Sequence, residues 1–391
     1  MTIWLIEPRD PVIFRDGRPF SAQPGARAKT LSFPFPSTII GAIRTQAGLD
    51  AAGKFDKTRI PNLLQKALRG PVLTALDAED GIDEWYFPAP ADALFLKQES
   101  LEETSARLVP LVPLRLPKEA QANLDDLYLV GPAQQEKGKP HSEAPVFWNQ
   151  SFFEQWLSQP EAQNKVMLTD LGLPGLPQDS RMHVQINSDS QTAETGALFQ
   201  TTGLSFTHVA AAKRDETQLS KARRLALAVD TDAALNADWG FLGGERRVAR
   251  WQKPTNTHLP DCPQTVRDAI KKTGHARIIL LTPAIFEKGF LPTWLLSGIS
   301  GITVSVKAAA VNRYQTVSGW DYEKMRPKPT RRLAPAGSVY FVELDGDESA
   351  IDQFINAVWM HNISDEEKDR RDGFGLAVLG IWGGVPKEVN L

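Results

Sequence analysis

The chain has 391 residues, 42% apolar and 23% charged, the balance of a soluble globular protein with material for two or three domains. Its net charge of −3 excludes a protein that coats nucleic acid by bulk attraction, while leaving room for a local basic site. The lone Cys262 excludes a disulfide framework and a thiolate metal cluster, and the six histidines show no ligand spacing.

Thr2-Ile-Trp-Leu-Ile-Glu7 is a short run of strand formers without the basic and long apolar regions of a signal peptide. No later apolar run reaches the about 20 residues of a membrane helix, so a cytoplasmic setting is expected. Val12–Phe20 continues into a turn at Asp16-Gly17, flanked by Arg15 and Arg18, with Pro19 confining the far arm to an edge or loop. Ser37, just after the Phe-Pro-Phe-Pro run, is expected to cap a helix. Ile39, Ile40, Ile43 and Ala47 form its core face, and Ser37, Gly41, Arg44 and Gly48 a second stripe. That stripe suits a phosphate seat at a helix N-terminus, or simply close packing of the glycines on a neighbouring strand.

Pro71–Leu76 and Glu84–Phe87 read as paired strands across an acidic turn. Residues 97–180 lose this clarity and read as a long insertion, with a short helical face at Phe152–Leu157. Residues 181–209 alternate polar and apolar around a polar tip at 188–192, the pattern of a protruding hairpin. Arg223–Val229 is a further strand and 231–239 a short helix.

Next comes Trp239-Gly-Phe-Leu-Gly-Gly-Glu-Arg-Arg-Val-Ala-Arg-Trp251. Gly243 and Gly244 permit close backbone approach, and Arg246, Arg247 and Arg250 follow at once. Glycines followed by arginines suit a phosphate chain; a tight turn before a basic, solvated strand is the other reading.

Residues 253–275 carry Pro254, Pro260 and Pro263 and read as a domain linker. Beyond them, Ala276–Leu281 is an apolar strand, Trp294–Ser297 a short helix, and Ile302, Val304 and Val306 mark a strand by their period of two. Ser338–Glu343 is another strand. Ile351, Phe354, Ile355, Val358 and Trp359 mark a helix face, with Ser349 and Asp352 at capping-box spacing. Gly373–Trp382 is a glycine loop running into a strand. Arg326–Arg332 holds four positive charges, Lys328, Arg331 and Arg332 among them, on a proline-extended loop. Arg371 closes a second basic run before the last glycine loop.

The second segment therefore has the strand–helix–strand–strand–helix–strand order of the ferredoxin-like fold, and the first offers the same order with insertions. Gly244 precedes Trp251, and Gly375 precedes Trp382, by the same seven residues. The fold class is thus α+β, two tandem ferredoxin-like domains at 1–260 and 270–391. The loop at Gly373, Gly375 and Gly380 is not a GxGxxG fingerprint. Asp372–Leu379 follows the outline of an RNA-recognition motif, but Leu376 and Leu379 stand where stacking aromatics belong. Hydrolytic motifs of the GxSxG, HExxH and Walker types are missing.

Pro8–Phe20, Pro34–Thr45, Gly240–Arg247, Ser318–Asp321 and Pro335–Val339 occur in an order that resembles the subunit-three family of the Cmr complex, the type III-B CRISPR effector. This family belongs to the RAMP superfamily of RNA-binding proteins. The resemblance implies a non-catalytic subunit, without cofactor or metal, that holds the repeat-derived 5′ tag of the guide CRISPR RNA. The implied partners are the large polymerase/cyclase-type subunit and a backbone RAMP subunit. Gly243, Gly244, Arg246 and Arg247 fall on the family's glycine-rich loop, Arg44 on its first helix, and Gly373 and Gly375 on its C-terminal loop. A hairpin that wedges between bases is typical of these backbones, and 181–209 is the candidate. Two alternatives stand beside this reading: a metal-independent endoribonuclease that processes CRISPR RNA, and a purely structural adaptor.

Overall fold

The computed structural model describes residues 1–391 apart from 16–26, 29, 51, 99–103, 118–125, 210–221, 237, 256, 322–325, 390 and 391. Its principal elements begin with β1 (Thr2–Pro8), α1 (Pro36–Ala47), β2 (Leu68–Leu76), β3 (Ile82–Pro88) and α2 (Gln150–Ser158). They continue with β4 (Arg223–Thr231), β5 (Asp238–Leu242), β6 (Arg247–Gln252) and α3 (Gln264–Thr273). The last third holds β7 (His275–Leu280), β8 (Thr303–Ala310), β9 (Val339–Asp345), α4 (Glu348–Val358) and β10 (Leu376–Ile381).

The architecture is mixed and strand-rich, built mainly of antiparallel sheets. In the first sheet the principal strands run β3-β2-β4-β1-β6-β5, with Phe147–Asn149 and Gly172–Leu173 beyond β3. Strand β1 is buried along nearly its whole length because both faces are covered, Ile3 and Leu5 on one side and Trp4 and Ile6 on the other. The second sheet runs β8-β9-β7-β10, antiparallel throughout. The two orders correspond: β1 lies between β4 and β6 as β7 lies between β9 and β10. Gly244 and Gly375 each lead into the strand that flanks this central one.

The correspondence breaks at one place. The helix expected over 231–239 is absent, and residues Asp238–Leu242 form a strand instead. Trp239, Gly240, Phe241 and Leu242 alternate outward and inward, which is strand periodicity and leaves a helix no coherent apolar face.

Several local expectations also need correction. Helix α1 begins at Pro36, with Phe35 as its N-cap and no side-chain cap bond; Ser37 lies inside the first turn. Proline's fixed φ suits that first position, so the cap hydroxyl is dispensable. Helix α4 is capped by Asp347, whose carboxylate accepts from the Ala350 N–H at 2.8 Å, rather than by Ser349. The stretch read as a linker contains α3, which buries Val266 and Ile270 and ends on Gly274 in the left-handed region at φ 65°.

The 97–180 region also carries more structure than its sequence pattern implies. Ser105–Arg115 is the hub of a small sheet with Ala93–Lys97, Gln163–Met167 and Leu129–Pro132, and Lys387–Glu388 pairs with it in parallel. Helix α2 is capped by Asn149, which accepts from the Phe152 N–H at 3.0 Å. It drives Phe152, Phe153, Trp156 and Leu157 into the core, where Trp148 packs against Phe152 and Trp156. The 178–204 hairpin forms as expected, and its Met182, Val184, Ile186 and Leu198 are exposed.

One apolar cluster runs from Ile3 and Leu5 through Trp148 and Trp156 to Ile278, Phe354 and Leu379. The other face of the first sheet, with Trp4 and Ile6, packs on Ile39, Ile40 and Ile43 of α1. A buried ion pair crosses the first cluster. Arg277 and Asp92 are each 1% exposed and meet at 2.5 Å. Arg277 also donates to the carbonyls of Trp156, Leu157 and Ile381, and the Trp156 indole donates to Asp92 at 3.0 Å. Every polar atom of the pair thus has a partner in the low-dielectric interior, as a buried charge requires.

Candidate nucleic-acid interface

The β5–β6 hairpin turns through Gly243 at φ 69°, Glu245 at φ 60° and Arg246 at φ 51°. A methyl on Gly243 would stand 2.6 Å from Val12 Cγ1 and 2.7 Å from the Ile13 carbonyl, so only glycine fits. The Gly244 N–H donates to that same carbonyl at 2.8 Å. The glycines therefore dock the loop on residues 12–13, and the Gly244 donor is used by the chain itself. What the loop presents outward is its arginines.

These differ sharply in availability. Arg246 is exposed, its guanidinium 4.5 Å from the Phe241 ring centre, with no carboxylate partner among the described residues. Arg247 pairs with Glu245 at 2.7 Å, and Arg250 with Asp80 at 2.9 Å. Asp80 also binds Arg224 at 2.6 Å, while Arg224 grips both oxygens of Glu7. The Arg224 hydrogen bond holds the Asp80 carboxyl below the usual carboxylate range; desolvation opposes this and the Arg250 bond adds to it. Asp80 is thereby charged at neutral pH and keeps Arg250 engaged. Arg15 is exposed beside the loop, its Nε 3.9 Å from where a Gly244 methyl would stand. Arg9, exposed on the same side, lies 5.9 Å from the Trp239 ring centre. Arg18 and the Asp16-Gly17 turn fall outside the described residues.

A second group of expected contacts is turned inward. Arg44 donates to the carbonyls of Leu63, Leu64 and Lys66 and pairs with Asp372 at 2.7 Å. It ties a short helix end to the last glycine loop, and its side chain is only 15% exposed, so little of it faces a ligand. Gly373, at φ 96°, would with a methyl crowd the Gly70 carbonyl at 2.9 Å and Pro36 at 3.0 Å. Gly375, at φ 86°, donates its N–H to the Pro283 carbonyl at 2.9 Å. Arg371 donates to Gln65 at 2.6 Å. Ser37 sits partly buried beside these groups, on the N-terminal turn of α1. Arg44, Arg371 and Gly373 thus link the first segment to the last glycine loop, whereas Gly375 is used within the second segment.

The 326–332 loop is shorter than expected, bounded by the strands Arg326–Pro327 and Arg331–Leu333, the latter paired with Gln315–Val317, and its cations divide in the same way. Arg331 bonds both oxygens of the buried Asp369, at 2.8 and 2.5 Å. Lys328 is exposed, and Arg332 stacks over Tyr314 at 4.9 Å. Leu333, Val317, Phe35 and Phe374 form a small core that anchors this loop beside α1. Sequence reasoning missed Arg9, Trp239, Phe241 and Tyr314. The signal for two of them was present: aromatics at 239 and 241, two residues apart, share one face of any strand.

The hairpin edge thus gathers exposed arginines and aromatic rings, Arg246 over Phe241 and Arg9 beside Trp239, and the whole-chain match places this protein among the CRISPR-associated proteins. The family model described as CRISPR-associated protein (Cas_Cmr3) matches residues 4–382, and the chain belongs to that family. The resemblance read from the sequence motifs, to subunit three of the Cmr complex, is thereby borne out. No curated protein sequence matches. Among solved structures the chain is similar to one from the type III-B Cmr-beta complex bound to cognate target RNA and AMPPnP. That match has 15% identity, a TM-score of 0.48, and covers 97% of this chain and 98% of the other. A second Cmr-beta structure, with cognate target RNA, matches at 18% identity and TM-score 0.44 over 87% and 86%. A chain of the Csm3–Csm4 subcomplex of the type III-A CRISPR-Cas interference complex matches at 10% identity and TM-score 0.28 over 89% and 94%.

Proposed function

We propose that this chain is a non-catalytic subunit of a type III-B Cmr effector complex that holds the repeat-derived 5′ tag of the guide RNA. In this reading it also joins the large polymerase/cyclase-type subunit to the RAMP backbone, in the cytoplasm. Family membership supports the setting, and Arg246 carries the site: an exposed guanidinium, on a loop docked to its own sheet, without a carboxylate partner among the described residues. The corresponding strand orders of the two sheets support a ferredoxin-like reading of each, in segments 1–260 and 270–391.

Anisotropy of a labelled single-stranded tag RNA, titrated with full-length protein at rising salt, tests the proposal. The R246A/R247A variant is expected to bind about tenfold more weakly, as for loss of a charge-assisted hydrogen bond of about 1.5 kcal/mol. The slope of log affinity against log salt should flatten by about 0.7 for each phosphate that the loop no longer neutralises. Unchanged affinity and slope would remove the site, and sequence-specific cleavage of repeat RNA by the purified protein would overturn the non-catalytic reading.

A further inference from the structure

Edge strand β5 closes the first sheet, and among the described residues no strand covers its outer edge. Its alternation sends Gly240 and Leu242 inward, Gly240 against Trp251 and Gln46. Trp239 and Phe241 point outward, each 52% exposed. An outward position on an edge strand needs no large aromatic for folding, and polar residues would serve solubility better. Both rings instead carry a guanidinium, Arg9 over Trp239 and Arg246 over Phe241.

The geometry points to Trp239 and Phe241 as a stacking platform for unpaired RNA bases, with Arg9 and Arg246 engaging the phosphates between them. This inference rests on the RNA-holding reading and names how that site grips its ligand. A guanidinium stacked on a ring keeps its N–H donors in its own plane, around the rim, where phosphate oxygens approach. Arg9 lies near the about 6 Å outer limit for such stacking, so Trp239 is the more open ring. Residues two apart on a strand are separated by about 6.7 Å. That is about twice the 3.4 Å rise of a stacked base, so neighbouring bases must unstack from each other to use both rings. Single-stranded RNA meets that condition and a duplex does not. A protein strand added to the β5 edge would need only its backbone groups, and the paired cations favour the polyanion.

Stacking and ion pairing are separable by salt. In the anisotropy titration, W239A/F241A is expected to weaken tag-RNA binding about tenfold or more while leaving the salt slope unchanged, since stacking releases no counterions. R246A/R247A should flatten the slope. W239F/F241Y, which keeps the rings, should restore affinity, and a duplex of the same length should compete poorly. A melting midpoint for W239A/F241A equal to the parent's establishes that the fold is intact. Wild-type affinity in W239A/F241A, with R246A/R247A still weak, overturns the platform and leaves the RNA-holding reading standing. Failure of the parent protein to bind tag RNA, alone and in the assembled complex, overturns both. If W239A/F241A no longer assembles with a neighbouring subunit while its RNA affinity is unchanged, the edge belongs to a protein partner and the platform is overturned.

Discussion

Asp92→Ala is expected to destabilise the protein by about 3–5 kcal/mol, because it leaves the Arg277 guanidinium charged and uncompensated in the core. Arg277 is 1% exposed, so water cannot replace the missing carboxylate, and the Trp156 indole is deprived of its acceptor as well. The measurement is the shift of the urea midpoint at neutral pH. A double variant, D92L/R277M, separates two contributions. Removing both charges together recovers the penalty of the lone ion, but it leaves the Trp156, Leu157 and Ile381 carbonyls without their donor. The double variant should therefore be more stable than D92A and less stable than the parent. A midpoint for D92A equal to the parent's would mean that Arg277 finds another anion.

Arg331→Ala gives the second large effect, and it separates structure from binding within one loop. Asp369 is 1% exposed and takes both of its strong hydrogen bonds from Arg331. The expected cost is about 2–3 kcal/mol, below that of a fully buried pair because the Arg331 side chain is 37% exposed and partly hydrated. Its salt slope for tag RNA should match the parent's. Arg332→Ala should behave in the opposite sense, with a melting temperature near the parent's, since its exposed guanidinium stacks over the Tyr314 ring and has no carboxylate partner among the described residues. Equal melting temperatures for R331A and the parent would show that the ion pair is dispensable.

These two neighbouring arginines show where sequence legibility ends. Both sit on the short strand Arg331–Leu333 that ends one basic, proline-rich stretch, and the sequence does not say which of its two faces meets a carboxylate. The partner of Arg331 lies on a later helix, and the partner of Arg44 is Asp372, more distant still along the chain. Positive charge is legible in sequence; whether a distant carboxylate has already claimed it is a property of the tertiary fold. The same holds for Gly243, Gly373 and Gly375. Their need for small size and positive φ was readable as punctuation, but the atoms of Val12 and Gly70 that crowd Gly243 and Gly373 lie far away in sequence, and only the Ser364 neighbour of Gly375 is close.

Secondary structure was legible where burial imposes a period. Strand β8 and helix α4 each bury one face and follow their expected patterns. Helix α3 was hidden because it buries only Val266 and Ile270 within a polar, proline-preceded stretch. Strand β5 was hidden because its outward residues are aromatic, which blurs the contrast between faces. The departure from solubility that obscured this strand is what makes it a candidate binding edge.

Strand β1 also constrains the order of events during synthesis. Its neighbours, β4 and β6, emerge from the ribosome long after it does. Translation proceeds at about 5–20 residues per second, so this strongly apolar segment waits many seconds for its partners. The Ser105–Arg115 sheet waits longer, because Lys387–Glu388 completes one of its edges. A nascent chain with two unfinished sheets is a natural client for chaperones. Its yield in a heterologous host should depend on translation speed and temperature more than on the stability of the finished fold.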